Sequence, residues 1–335
     1  MTVRRLPALF ALGCAVLLLP GCSSSSPSAS PSASPSSSSS TGASPQALDG
    51  LSGVPVLTDA NHRAMPLDPY LLNPKQFQTI SQASATLVSR CMRRLRFDYA
   101  PPAQSGDTTG IGADAPTTRM DGYFGFQTMA HAKTFGYHPE GASPQAGAQA
   151  GAAAGGQAPS LTAGENTALT GTADPKRKNG PGGMTLNGRT VPDHGCVGEA
   201  NRILTGSVTG SAGNPDFVVS LKFDTLAKGQ RDPRTRAVFA SWADCMQRKG
   251  HPYADPLAAS GDARWSSGPA PTAEELRVAV ADQECRHDAN VVGVWFTADF
   301  GYQQAAVKQY GARLDGVRRA MTDHLAAARK ALAGS

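Results

Sequence analysis

The residues best equipped for chemistry in this chain of 335 amino acids are Cys91, Cys196, Cys245 and Cys285. As thiolates they are nucleophiles or metal ligands; oxidised in pairs they are covalent braces. His194-x-Cys196 and Cys285-x-His287 put an imidazole two residues from a sulfur, which invites a zinc reading. The competing reading has both sulfurs oxidised and both histidines on helix surfaces. A redox role for Cys91 or Cys245 is weakened because no Cys-x-x-Cys pair supplies a resolving thiol. Asp282, Glu284 and Asp288 fall within about two helical turns and could furnish paired carboxylates, although a solvated acidic face is the plainer interpretation. Trp242, Trp265 and Trp295 could form a platform for a glycan or peptide. Trp242 and Trp295 fit apolar stripes and read as core, whereas Trp265, between Arg264 and Ser266-Ser267-Gly268, reads as exposed. Phe135-Gly136-Tyr137-His138-Pro139 ends a predicted helix and reads as a cap on the core. The sequence carries no Gly-x-Ser-x-Gly elbow, no Ser-x-x-Lys, no His-Glu-x-x-His and no glycine-rich phosphate loop after a strand pattern. We therefore expect no catalytic residue, cofactor or metal.

The surroundings of the cysteines choose among their three possible pairings. Cys91-Met92 and Cys245-Met246 are each followed by a tyrosine eight residues after the cysteine, Tyr99 and Tyr253. Cys196 leads to Glu199-Ala200-Asn201 and Cys285 to Asp288-Ala289-Asn290 at identical spacing. The chain thus reads as two copies of one unit, the first over 75–206 and the second over 230–300. This predicts Cys91–Cys196 and Cys245–Cys285, with Cys91–Cys245 and Cys196–Cys285 as the crossed alternative. Loops of ~105 and ~40 residues would each contribute roughly 4–5 kcal/mol through loop-closure entropy.

The elements that must position these residues are helical. Leu87, Cys91 and Leu95 recur every four residues, with Val88 and Met92 alongside; Val238, Trp242, Cys245 and Met246 repeat the stripe. Pro192 can open a short helix carrying Cys196, Ala200, Ile203 and Leu204, which Gly206 stops. Asn214-Pro215 can start another with Val218, Leu221 and Thr225 on one face, although Phe217 to Leu221 also alternates like a strand. Thr272-Ala273-Glu274-Glu275 matches a capping box. The helix it opens should run almost to the C-terminus, bending at Gly293, Gly301 and Gly311, with Val307, Tyr310, Leu314, Val317, Met321 and Ala328 as its packing seam. Its interior glycines, Gly316 included, cost ~1 kcal/mol each against alanine. Between 139 and 190 the composition collapses into Gly, Ala, Gln, Ser and Pro, so a disordered insertion is expected there.

The N-terminus decides the redox setting. Arg4 and Arg5 precede an apolar run from Ala8 to Leu19, too short to span a bilayer of ~30 Å as a helix. Leu19-Pro20-Gly21-Cys22 then resembles the lipobox of bacterial lipoproteins, with Pro20 a departure from its usual small residue. The resemblance implies a signal peptide over 1–21 and lipid on Cys22, while Cys14 leaves with the signal. Residues 22–50, rich in Ser and Pro and uncharged from Ser23 to Leu48, read as a disordered tether that holds the folded part roughly 30 Å from the membrane. Export favours disulfides over zinc thiolates. Trp242-x-x-Cys245-Met246 leading to Gly250 and Tyr253, and Ala273-Glu274-Glu275-Leu276 through Ala281-Asp282 to Cys285, resemble a broad group of uncharacterised secreted lipoproteins of actinomycete-type, high-GC Gram-positive bacteria. In the first copy Arg96 stands where the second has Gly250. The resemblance brings no activity or ligand.

The sequence therefore predicts a mostly helical, disulfide-stapled domain over 51–335, anchored through lipid at the outer face of the cytoplasmic membrane. The net charge of +5 falls to +3 once Arg4 and Arg5 are removed, and it is scattered, which argues against nucleic acid. Arg90, Arg93, Arg94 and Arg96 could touch anionic lipid heads, although a solvated helix face is the plainer reading. The expected role is non-enzymatic binding or scaffolding of an envelope protein, peptide or wall polymer. The alternatives are an importer's substrate-binding lipoprotein or an envelope hydrolase with an unrecognised site.

Overall fold

The computed structural model describes residues 51–60, 63–101, 112–113, 115–124, 128–142, 161–210 and 215–334. Arg4, Arg5, the lipobox with Cys22 and the tether lie outside the described residues.

Among the described residues nine α-helices carry the fold: α1 (Pro74–Arg94), α2 (Met129–Phe135), α3 (Ala163–Thr170), α4 (Gly195–Thr205), α5 (Pro215–Arg231), α6 (Pro233–Arg248), α7 (Pro256–Ser260), α8 (Ala273–Asp288) and α9 (Val291–Ala333). Among the described residues the only strands are two residues each, β1 (Thr185–Leu186) and β2 (Arg189–Thr190), paired antiparallel. The starts are chemically marked. Asn73 caps α1 in a reciprocal box with Gln76, Asp232 caps α6 ahead of Pro233, and Thr272 accepts from the Glu275 amide at the head of α8. The stretch Phe217 to Leu221 is helix, with Val218, Leu221 and Thr225 buried as one face.

Both predicted disulfides are present, Cys91–Cys196 and Cys245–Cys285, with Cα separations of 5.5 Å and 5.7 Å. The Cys-Met elements are equivalent in detail. Each cysteine lies three residues before its helix ends, in α1 and α6. Both helices close with the same bond, Phe97 N to Met92 O and His251 N to Met246 O, each 2.9 Å, over a left-handed residue. That residue is Arg96 (φ 62°) in one and Gly250 (φ 83°) in the other. Tyr99 and Tyr253 then pack against their own cores. The partner elements are not equivalent. Cys196 is the second residue of α4, whereas Cys285 lies in the last turn of α8. The matching Glu/Asp-Ala-Asn triplets accordingly sit mid-helix in one half and across a helix break in the other.

Two further expectations need correction. The C-terminal helix does not run on from Thr272. Asn290, at φ 50°, separates α8 from α9, and inside α9 the departure from helical geometry is at Tyr310 rather than at a glycine. Nor is 139–190 a structureless insertion throughout, because 161–190 contains α3 and the hairpin, and Ala168 and Leu169 are buried beside the Cys91–Cys196 bridge. The rest of it, 143–160, lies outside the described residues.

The spine is α9, 43 residues and therefore about 65 Å long. Its first turns, Val291 to Trp295, join the large core around Cys245–Cys285. Leu314 and Val317 pack on Val218, Leu221, Leu67 and Leu71, and Ala328 meets Ala83 and Leu204. One helix thus connects the two braced halves, and its seam residues Leu314, Val317 and Ala328 are buried as predicted.

Candidate functional site

The densest chemistry lies against the large core, where Tyr137 and His138 follow α2 and dock onto α8. Glu275, fully buried, accepts through Oε1 from the Tyr137 amide and from His138 Nδ1, each at 2.8 Å. Its place three residues after the Thr272 cap suggested a capping box, but the side chain turns away to this partner 137 positions distant. His138 Nε2 meets the Gly268 carbonyl at 3.0 Å. Both ring nitrogens therefore face acceptors, an arrangement only the imidazolium satisfies fully. Burial alone would lower the pKa of His138; the Gly268 and Glu275 hydrogen bonds and the Glu275 charge outweigh it and raise the value above the ordinary 6.5.

About two and three turns along α8 from Glu275, Asp282 and Arg286 form a fully buried ion pair of 3.0 Å. Asp282 also accepts from the Tyr137 hydroxyl and the Trp242 indole, both at 2.9 Å, and Arg286 lies 4.7 Å from the Phe124 ring centroid. Burial pushes the Asp282 carboxyl up, with Arg286 and the two donors opposing it; burial and the neighbouring carboxylate raise Tyr137. Trp265, expected outside, is buried: it stacks on Tyr137 at 5.7 Å, donates to Ala259 O at 2.7 Å, and carries the Arg264 guanidinium 4.9 Å from its centroid. That occupancy corrects the platform reading. Beside it, Asp262 is held well below the carboxylate range by its hydrogen bond with Arg264, and burial with Asp262 raises Tyr253 to about 12. Between these groups opens a cavity of about 320 Å³, lined by Tyr137, His138, Pro139, Ser260, Gly261, Asp262, Trp265, Ser266 and Gly268.

A second polar cluster ties residues 57–73 to the spine. Lys222, fully buried, reaches Asp68 at 3.1 Å and the Ala113 carbonyl, and Arg119 donates to Ala60 O and Arg63 O. Asp299 accepts from Gln303, whose amide oxygen holds Leu67 N. Burial raises Asp299 to about 6, against the pull of Thr225 and Gln303. The adjoining cavity of about 10 Å³ has room for about one water.

The residues singled out from sequence scatter around these centres. Asp282 points inward, contrary to a solvated face, while Glu284 pairs with Lys249 at 2.7 Å and Asp288 is exposed. Glu284, His287 and Asp288 line a separate cavity of about 400 Å³ with Gln283, Met129 and Thr58. His194 pairs with Asp193, and its neighbour Cys196 is in a disulfide. Among the described residues no three His, Cys, Asp or Glu side chains are grouped to hold a metal. Arg93, Arg94 and Arg96 are exposed, with Arg94 bridged to Glu199, and Arg90 donates to Gly334 O. No described helix is long and apolar enough to cross a membrane. Sequence reasoning missed Glu275, His138, Lys222 and Asp299 as a set, because each is defined by partners far along the chain. No protein family, characterised protein or solved structure matches this chain.

Proposed function

We propose that this chain is a lipid-anchored protein of the outer face of the cytoplasmic membrane that binds or scaffolds an envelope component without catalysing a reaction. The observation that carries the reading is the state of its most chemically able group. His138 is held at both nitrogens by acceptors of the protein itself, so its ring is fixed in a docked segment with neither nitrogen open to a substrate. Two disulfides, each bracing its own half, support an oxidising compartment. The lipobox resemblance at Cys22 supplies the anchor, and the likeness to high-GC Gram-positive lipoproteins points the same way. An importer's substrate-binding protein would need two α/β lobes around a cleft, and the two strands of two residues among the described residues do not build them. A hydrolase centred on Asp282, Glu284 and Asp288 would need all three acids to converge, and Asp282 is instead buried in its own ion pair, outside the cavity that Glu284 and Asp288 line.

The test is crosslinking in intact envelopes followed by capture of the full chain, with a tether-only control spanning 22–50. The reading expects at least one envelope component enriched over the control, and loss of membrane retention in Cys22→Ser. Equal recovery from both baits, or a Cys22→Ser protein that stays in the membrane fraction, counts against it.

A further inference from the structure

The cavity beside His138 and Trp265 has the size of a small-ligand site, about 320 Å³. The charges around it decide what it can take. His138 is paired with Glu275 at 2.8 Å, Asp262 with Arg264 at 2.7 Å, and Arg264 also with Glu274 at 2.6 Å. An ionic ligand would have to compete with pairs already made, and at the buried His138–Glu275 pair breaking it would strand a charge, which is costly. A neutral ligand meets no such penalty. What the wall offers it is a mixed set of short polar groups: the Ser260 and Ser266 hydroxyls, the Gly268 carbonyl and the outer lone pairs of Asp262. Most of these can only accept, because the Ser260 hydroxyl already donates to Tyr123 O, and a row of acceptors matches the donating hydroxyls of a polyol. The Tyr137–Trp265 stack, with the Arg264 guanidinium over the indole, walls one side of the cavity. Small residues at Gly261, Ser266 and Gly268 leave the mouth open to an extended chain. The site is also rigidly framed. Ser260 is pinned to Tyr123 O at 2.7 Å, Trp265 to Ala259 O, and His138 to Gly268 O.

We infer that this cavity binds a neutral, hydroxyl-rich ligand, a short glycan segment, held beside Trp265 and hydrogen-bonded by Ser260, Ser266, Asp262 and Gly268. The inference rests on the envelope-binding reading above and names its ligand class and its site.

The experiment is saturation-transfer NMR on the full-length chain in zwitterionic micelles, with chitotriose and maltotriose as probes and glutamate and spermidine as charged controls. At least one saccharide should bind with a Kd of about millimolar. Ser266→Trp, which fills the mouth from an exposed position, should weaken that binding at least about tenfold while the thermal transition is kept. Should the tryptophan fail to fold, Ser266→Leu takes its place. Silence from both saccharides up to about 20 mM, binding that survives the filled mouth, or tighter binding of a charged control overturns the inference. Envelope capture separates the two levels. A filled-mouth variant that still recovers the wild-type partner sinks the glycan site alone, whereas a wild type that recovers nothing sinks the broader reading.

Discussion

The two disulfide-centred halves use the same hardware for different ends. In the first, α1 delivers Cys91-Met92 into a core of Val88, Leu95, Ala168, Leu169, Val191 and Ala200, with only half-buried aromatics at its edge and no buried ion pair among the described residues. In the second, α6 delivers Cys245-Met246 into a core that holds all three tryptophans and a buried aspartate–arginine pair, with the polar cavity on its flank. The cysteine, the helix termination and the following tyrosine are therefore scaffold, common to both halves. The chemistry resides in what the second half adds to that scaffold.

The largest test of this contrast is to break one ion pair in each half. Asp282→Ala strands a buried Arg286 and should cost about 3–5 kcal/mol in urea unfolding, whereas Glu199→Ala, which removes the half-buried partner of the exposed Arg94, should cost under about 1 kcal/mol. Comparable losses would erase the distinction between a polar and a sealed core. The disulfides come next. Cys91→Ser with Cys196→Ser, and Cys245→Ser with Cys285→Ser, should each cost roughly 2–5 kcal/mol. The first pair should lose about 1 kcal/mol more, since it closes 105 residues against 40. Denaturant midpoints in the opposite order would show that native packing outweighs loop closure.

A smaller effect separates the two helix ends. Arg96 holds a left-handed conformation that glycine adopts freely, so Arg96→Gly should raise stability by about 1 kcal/mol and Gly250→Arg should lower it by about 1–2 kcal/mol. Melting temperatures that move in the same direction for both would contradict their structural equivalence.

The smallest and most selective test is pH. His138 has a raised native pKa, so its contribution is full below the unfolded value of 6.5 and is lost as pH rises through the native one. His324, on the stretch of α9 between Met321 and Leu325, has Nε2 buried with no partner among the described residues, and burial lowers its pKa. Its contribution is full above 6.5 and is lost as pH falls through the lowered native value. His138→Gln should flatten the alkaline side of the stability profile and His324→Gln the acid side, measured from about pH 5 to 8. A shared sign for the two variants would refute the assignment.

Much of the scaffold was legible because it is written locally. Proline and capping residues mark helix starts, four-residue apolar spacing marks faces, and the matched cysteine neighbourhoods gave the pairing. The site was not legible, for the opposite reason. Thr272 to Glu275 is locally a capping box, and nothing near it announces that Glu275 is claimed by Tyr137 and His138. Trp265 sits among Arg, Ser and Gly, so its burial comes from Tyr137, 128 positions earlier. The segment 161–190 was misread because glycine was taken as a mark of disorder. There it permits close backbone crossing instead, with Gly180 N on Thr170 O, Gly182 N on Gly171 O and His194 N on Gly180 O at 2.8–3.0 Å.

The two-halved architecture depends most on each half carrying its own brace. Non-reducing peptide mapping of the chain isolated from envelopes, with free thiols blocked at lysis, tests this directly. The predicted result is two linked species, Cys91 with Cys196 and Cys245 with Cys285. Peptides joined across the halves, or four alkylated sulfurs, would contradict it.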